Sequence, residues 1–199
     1  MKLSRTIAAV TATSLLAFAA FAGSAQACSY PGAQQVFKPW GDQASYVLAP
    51  DGGFEAGGAG WTLSGGAQAV TGNESYNLGG ATNSKSLSLP AGSSAGSPPV
   101  CMAIDTPSYR LFARNTGDPT SKLRIEAVYQ LLGLVQTKVG ATITAGPTWA
   151  PTQSISTVLG LSTIVGTLIP SSVQIRNAPA DSKGQWQVDD LYVDPFARH

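Results

Sequence analysis

Two adjacent carboxylates, Asp189 and Asp190, interrupt the apolar strand pattern GQWQVDDLYVDP near the end of the chain. Trp186 and Val188 fall on one face and Leu191 and Val193 on the other, so the apolar phase switches across the pair. A strand that changes phase contains a bulge, or buries both faces at different points along its length. Either way one carboxylate turns toward the protein, where it needs a cluster of backbone N–H groups, a basic side chain or a metal ion. Glu55, Glu74 and Glu126 are the other acids that could pair for glycoside hydrolysis, which needs only two carboxylates. Glu126 alternates onto the polar face of its strand and Glu74 lies in the turn-like TGNES, so both read as solvated side chains.

Nucleophilic catalysis has little support. The sole histidine is the last residue, His199, which removes Ser-His-Asp and Cys-His arrangements. There is no GxSxG elbow and no HExxH pair, and the glycines of DGGFEAGGAGW (Asp51 to Trp61) are not followed by the Lys-Ser/Thr of a phosphate loop. The chain therefore reads as non-enzymatic, with no catalytic residues assigned. Of the four tryptophans, Trp61, Trp149 and Trp186 fall in or near strand patterns and read as core. Trp40, in the unpatterned FKPWG, is the ligand-binding candidate, because an exposed aromatic ring stacks on sugar rings.

The residues that would deliver this chemistry to its compartment lie at the N-terminus. Lys2 and Arg5 precede an apolar run, Ile7 to Phe21, and Ala25-Gln26-Ala27 supplies a cleavage signal before Cys28. Residues 1–27 read as a secretory signal peptide, the alternative being an uncleaved anchor. No later stretch reads as a membrane span. Without Lys2 and Arg5 the twelve basic residues become ten against eleven acidic ones, a net charge of about −1. That balance argues against a nucleic-acid partner, which needs a basic face. Two cysteines exported together read as a disulfide, Cys28 to Cys101. Closing a loop of that size contributes about 4 kcal/mol on the chain-entropy account. A lipidated Cys28 and two free thiols are the alternatives.

The mature chain, about 170 residues, is one domain in length. Period-two alternation marks its strands. Leu87 and Leu89 alternate in SKSLSLP, Tyr109, Leu111 and Ala113 in SYRLFARN, and Leu123, Ile125 and Ala127 in KLRIEAVY. KVGATIT sets Val139, Ala141 and Ile143 on one face, and SVQIRN sets Val173 and Ile175 on one face. LLGLVQTK reads as a hairpin turn, and no window makes an amphipathic helix of three turns. Many short strands between Gly- and Pro-rich turns predict an all-β antiparallel sandwich over 47–199, preceded by an N-terminal arm, 28–46, pinned by Cys28.

DGGFEAGGAGW near the start and WQVDDLYVDP at the end resemble the flanking signatures of galactose-binding-like jelly rolls, the fold of many secreted carbohydrate-binding modules. The chain is also similar to small secreted actinobacterial proteins. The resemblance implies that the first motif is a strand beside the closing one, with Phe54 in the core. It implies a structural calcium between them, held by Glu55 and Asp190, with Asp51 as a further ligand and backbone carbonyls completing the shell, and Ca²⁺ does take hard oxygen ligands. It implies a secreted, non-enzymatic module of a bacterial exterior whose ligand is a carbohydrate or cell-wall glycan. A structural or protein-interaction module of the cell envelope is the second reading, and a glycoside hydrolase the third.

Overall fold

The computed structural model describes residues 32–102, 108–131, 134–156 and 171–194. Residues 1–27, read above as a signal peptide, and Cys28 and His199 lie outside them. Cys101 is not a free thiol. Among the described residues no helix is long and apolar enough to cross a membrane.

Thirteen strands are described: β1 Val47–Leu48, β2 Thr62–Ser64, β3 Gln68–Thr71, β4 Lys85–Pro90, β5 Ser94–Gly96, β6 Val100–Met102, β7 Ser108–Asn115, β8 Leu123–Leu131, β9 Leu134–Ile143, β10 Ala150–Pro151, β11 Ile155–Ser156, β12 Ser171–Pro179 and β13 Gln185–Asp194. They form two antiparallel sheets. The seven-stranded sheet runs β10-β7-β13-β4-β3, with β1 also on β13 and β11 also on β7. The six-stranded sheet runs β2-β5-β12-β8-β9, with β6 also on β12. The antiparallel sandwich expected from the alternation is therefore present.

Alternation explains the core. Leu87, Leu89, Tyr109, Leu111, Ala113, Trp186 and Val188 from one sheet meet Leu123, Ile125, Ala127, Val173 and Ile175 from the other, all buried. Trp186 satisfies its indole by donating from Nε1 to Ser121 Oγ at 3.1 Å, as a buried Trp must. The expected β8–β9 hairpin pairs from Leu123↔Ile143 to Leu131↔Leu134, with one register shift between Ile125 and Glu126.

One facing expectation fails in that hairpin. Ala141 pairs with Ile125 and Val139 with Glu126, so Gly140 is an extra, unpaired residue. The bulge inverts the alternation and leaves Val139 half exposed while Ala141 packs on the core. A side chain at position 140 would overlap the Tyr109 hydroxyl, so only glycine fits there.

Asp51 to Trp61 also differs from its expectation. It holds no strand but a succession of turns between β1 and β2, with Phe54 at φ +59°. Phe54 does enter the core, against Trp61 with ring centroids 4.7 Å apart.

The arm packs on the outer face of the seven-stranded sheet and builds a second, aromatic cluster. Phe37, Ala44, Tyr46, Phe112, Trp149 and Tyr192 are its buried members. A single 3₁₀ turn, Lys38–Trp40, carries Trp40 onto the same cluster. Arg110 clamps the arm to β7: Nη1 lies 2.9 Å from Asp42 Oδ2, Nε donates to Thr152 O, and the guanidinium lies 4.2 Å from the Phe37 ring centroid.

Candidate functional site

The Asp189–Asp190 pair is where the phase switch placed a bulge. β13 pairs with β7 through Asp189↔Phe112 and resumes at Tyr192↔Arg110, so two residues oppose Leu111. Asp190 carries the distortion at φ +49°, and both aspartates are fully buried.

Their surroundings differ. Asp189 accepts from its neighbour's N–H, Asp190 N, at 2.9 Å and from Glu74 N at 2.9 Å. Burial and then the Asp190 charge push its carboxyl up to about 8, against the two N–H bonds that lower it. Asp190 has no hydrogen-bond partner on either carboxylate oxygen. Burial, then the charges of Glu74 and Glu55, push it up to about 7.

Gly53 makes room for Asp190. A methyl group at position 53 would sit 3.0 Å from Asp190 Oδ1 and 3.5 Å from Asn83 Nδ2. Two bonds lace this turn to the bulge, Ala49 N to Leu191 O at 2.8 Å and Leu191 N to Gly52 O at 3.1 Å. A buried, unpartnered carboxylate over a glycine is a donor set that suits a hard cation. Among the described residues no three His, Cys, Asp or Glu side chains converge, so amide and backbone oxygens would supply the remaining ligands.

The other residues that the resemblance nominated have backbone partners. Glu55 Oε1 accepts from Ser84 N at 2.7 Å and Lys85 N at 2.8 Å, at the start of β4. Asp51 accepts from Ala56 N, Gly58 N and Ala59 N, bracing the glycine turns.

Two acids read as solvated are buried. Glu126 lies between Arg124, 2.7 Å away, and Arg176, 2.6 Å away, on the outer face of the six-stranded sheet. Strand alternation placed it outward correctly, but two flanking arginines bury its carboxylate. Among the described residues that face carries no aromatic side chain; Tyr129 packs inward. A hollow of about 370 Å³ opens at its rim beside Arg124, between Gly92 and Asp181.

Glu74 is buried because its carboxylate organises a turn. It accepts from Tyr76 N and, at 2.8 Å, from Leu78 N, while its own N–H reaches Asp189. This relay from β13 fixes the ring of Tyr76, which is 46% exposed. Tyr76 meets Trp40 edge-on, with centroids 4.9 Å apart and planes at 90°, and covers Phe112 at 5.4 Å. Trp40, the aromatic singled out in the sequence, is thus half of a surface pair. Tyr76 Oη donates to Trp149 O at 3.4 Å.

Beside the pair, registered strands set a polar row across the outer face. Gln68 on β3 is opposite Ser88 on β4, Ser88 opposite Gln187 on β13, and Gln187 opposite Arg114 on β7. Gln68 is exposed and the other three partly so. Arg114 Nε donates to Gln187 Oε1 at 2.7 Å, and its guanidinium lies 4.8 Å from the Trp149 ring centroid. Reading for core residues alone passed over this row. The signal was available, since Arg114 must face opposite to Leu111 and Ala113.

Solved structures share this architecture. A family 22 carbohydrate-binding module and glycoside hydrolase pair of Clostridium thermocellum xylanase 10B, complexed with xylohexaose, matches 75% of the chain at 14% identity and a TM-score of 0.54. The CBM22-1 xylan-binding domain of Paenibacillus barcinonensis Xyn10C matches 77% at 15% identity and a TM-score of 0.52, over 99% of its own length. The tandem of two such domains from the same protein matches 78% at 14% identity and 0.54. The chain spans 28% of the first structure and 46% of the tandem. No protein-family model and no curated protein matches the sequence, so the similarity to actinobacterial proteins gains nothing further. At these identities the likeness is one of fold: the chain has the jelly-roll sandwich found in these carbohydrate-binding modules.

Proposed function

We propose that the protein is a secreted, non-enzymatic binding module whose ligand is a carbohydrate or cell-wall glycan. The observation that carries this reading is the Tyr76–Trp40 pair, an exposed ring braced edge-on by a second over a rigid sheet, with hydroxyl and amide groups beside it. Apolar ring faces take sugar C–H groups, and the polar row takes hydroxyls. The xylan-binding domains that share the fold support the ligand class. Retention on insoluble polysaccharides and purified cell walls, measured by pull-down and affinity electrophoresis, tests it. Retention is expected, and Tyr76→Ala should weaken it about tenfold, the scale of one aromatic contact. No retention on any glycan rejects the reading.

The module also carries, in this reading, a structural calcium at Asp190, with Glu55 and Asp51 at its margin, and a Cys28–Cys101 disulfide tethering the arm. Bound calcium would supply the positive charge that the buried Asp190 carboxylate has no side-chain partner to provide.

A second reading, a structural or protein-interaction module of the cell envelope, is favoured by one observation. Among the described residues β9 is the last strand of its sheet, and it exposes Leu134 at 65%, Val135 at 66% and Val139 at 50%. A long apolar edge is a template for pairing with another chain. Val135→Lys abolishing recovery of a cross-linked partner, with glycan retention unchanged, would favour it over the first.

A further inference from the structure

The described residues include four arginines, and three of them lie against a carboxylate. Arg110 faces Asp42, and Arg124 and Arg176 share Glu126. Arg114 has no carboxylate partner among the described residues. Its guanidinium is nevertheless held. Gln187 fixes Nε and the Trp149 ring lies under the charged plane, which leaves the two Nη groups available for an incoming ligand. Asp189, two residues along β13 on the same face, is fully buried and accepts the Glu74 N–H. It offers the Arg114 charge no surface partner.

A guanidinium held over an aromatic ring with its fork free is arranged for a planar anion, and carboxylate matches that fork bidentately. The immobilisation cost is already met by Gln187 and Trp149, so a ligand would gain most of the contact. On one side of Arg114 run the neutral donors and acceptors Gln187, Ser88 and Gln68; close by stands the Tyr76 ring. This combination suits a long, hydroxyl-rich chain carrying intermittent negative charge. A phosphate-rich polyanion would need several cations, and the row has one.

We propose that this outer face binds an extended polysaccharide bearing uronic acid residues, with Arg114 forking onto the uronate carboxylate, the Gln187–Ser88–Gln68 row meeting hydroxyls and Tyr76 stacking on a neighbouring sugar. The proposal rests on the glycan-binding reading and adds to it the charge of the ligand and the residue that reads it.

The test compares glucuronoxylan, polygalacturonate and alginate, each against its own carboxyl-reduced form, by affinity electrophoresis and titration calorimetry at low and high salt. At least one acidic polymer should bind about tenfold tighter than its reduced form, the scale of one charge-assisted bidentate contact. High salt should narrow the difference. Arg114→Gln should erase the preference, Arg114→Lys should keep part of it, and Tyr76→Ala should weaken acidic and reduced forms alike. Thermal unfolding of each variant establishes that it is folded, and the lysine variant carries the test if the glutamine variant is not. Acidic and reduced forms binding alike, or a preference that survives Arg114→Gln, overturns the proposal while leaving glycan binding in place. No binding to any of the six polymers overturns both.

Discussion

At the scale of single residues, burial and partner decide what each charged group does. Asp42 shows the paired case. Burial alone would raise its carboxyl, but hydrogen bonds from Ala44, Tyr46 and Arg110, with the Arg110 charge, hold it below the usual carboxylate range. Removing it leaves Arg110, itself buried, without its counter-charge. Asp42→Ala should therefore destabilise the protein by about 3 kcal/mol, the cost of breaking a buried ion pair from one side. Chemical denaturation followed by tryptophan fluorescence checks this, because Trp40 rides on the segment that Asp42 pins. A loss below about 0.5 kcal/mol would reduce the clamp to a surface ion pair. Asp190 is the opposite case, a carboxylate with no partner of either kind. Asp190→Asn removes the charge and keeps the shape. The variant should lose any rise in melting temperature that added calcium gives the parent protein, and a variant that keeps the calcium response would move the cation elsewhere.

At the scale of elements, the strands were legible wherever alternation was uninterrupted. Leu87 and Leu89, Leu123 to Ala127, and Val173 with Ile175 all face the core as their spacing requires. The Asp189–Asp190 bulge was legible too, because an apolar phase switch has few other causes. Val139 was not, because a bulge at glycine leaves no apolar residue to reveal the change of phase. Glu74 and Glu126 were missed for a different reason. A local pattern shows which way a side chain leaves the backbone, but not whether a turn or two arginines from distant positions will close over it. The Gly140 bulge has its own consequence. Gly140→Ala places a methyl group against the Tyr109 hydroxyl and within 2.9 Å of Ile155 Cγ2, joining β9 to the two strands beneath it. Overpacking of this kind costs about 1–3 kcal/mol, so its denaturation midpoint should fall with an unchanged slope. A variant as stable as the parent would mean that the hairpin can shift outward freely.

At the scale of the whole molecule, the closing strand does two jobs that pull against each other. β13 is central in its sheet and must bury both aspartates to hold β1, the glycine turns and the Glu74 turn together. Burial raises Asp189 to about 8 and Asp190 to about 7 from an unfolded value of 3.8. Both bind protons more tightly folded than unfolded, so their contribution to stability is complete below 3.8 and is lost as pH rises through about 7 to 8. Asp42 works in the other direction, its contribution being present above 3.8 and lost as pH falls through its lowered value. In chelator the protein should thus be most stable in the weakly acidic range and lose stability toward pH 8. A divalent cation on Asp190 favours the ionised form and reverses the loss, because a ligand bound only by the native state raises stability. The melting temperature should fall between about pH 5 and 8 in EDTA and stay level, or rise, in saturating calcium, with the largest difference at the alkaline end. Identical melting curves with EDTA and calcium at pH 8 would remove the cation from the bulge. A flat profile in EDTA would show instead that the aspartates shed their burial cost through solvent, and that the bulge is looser than its packing indicates.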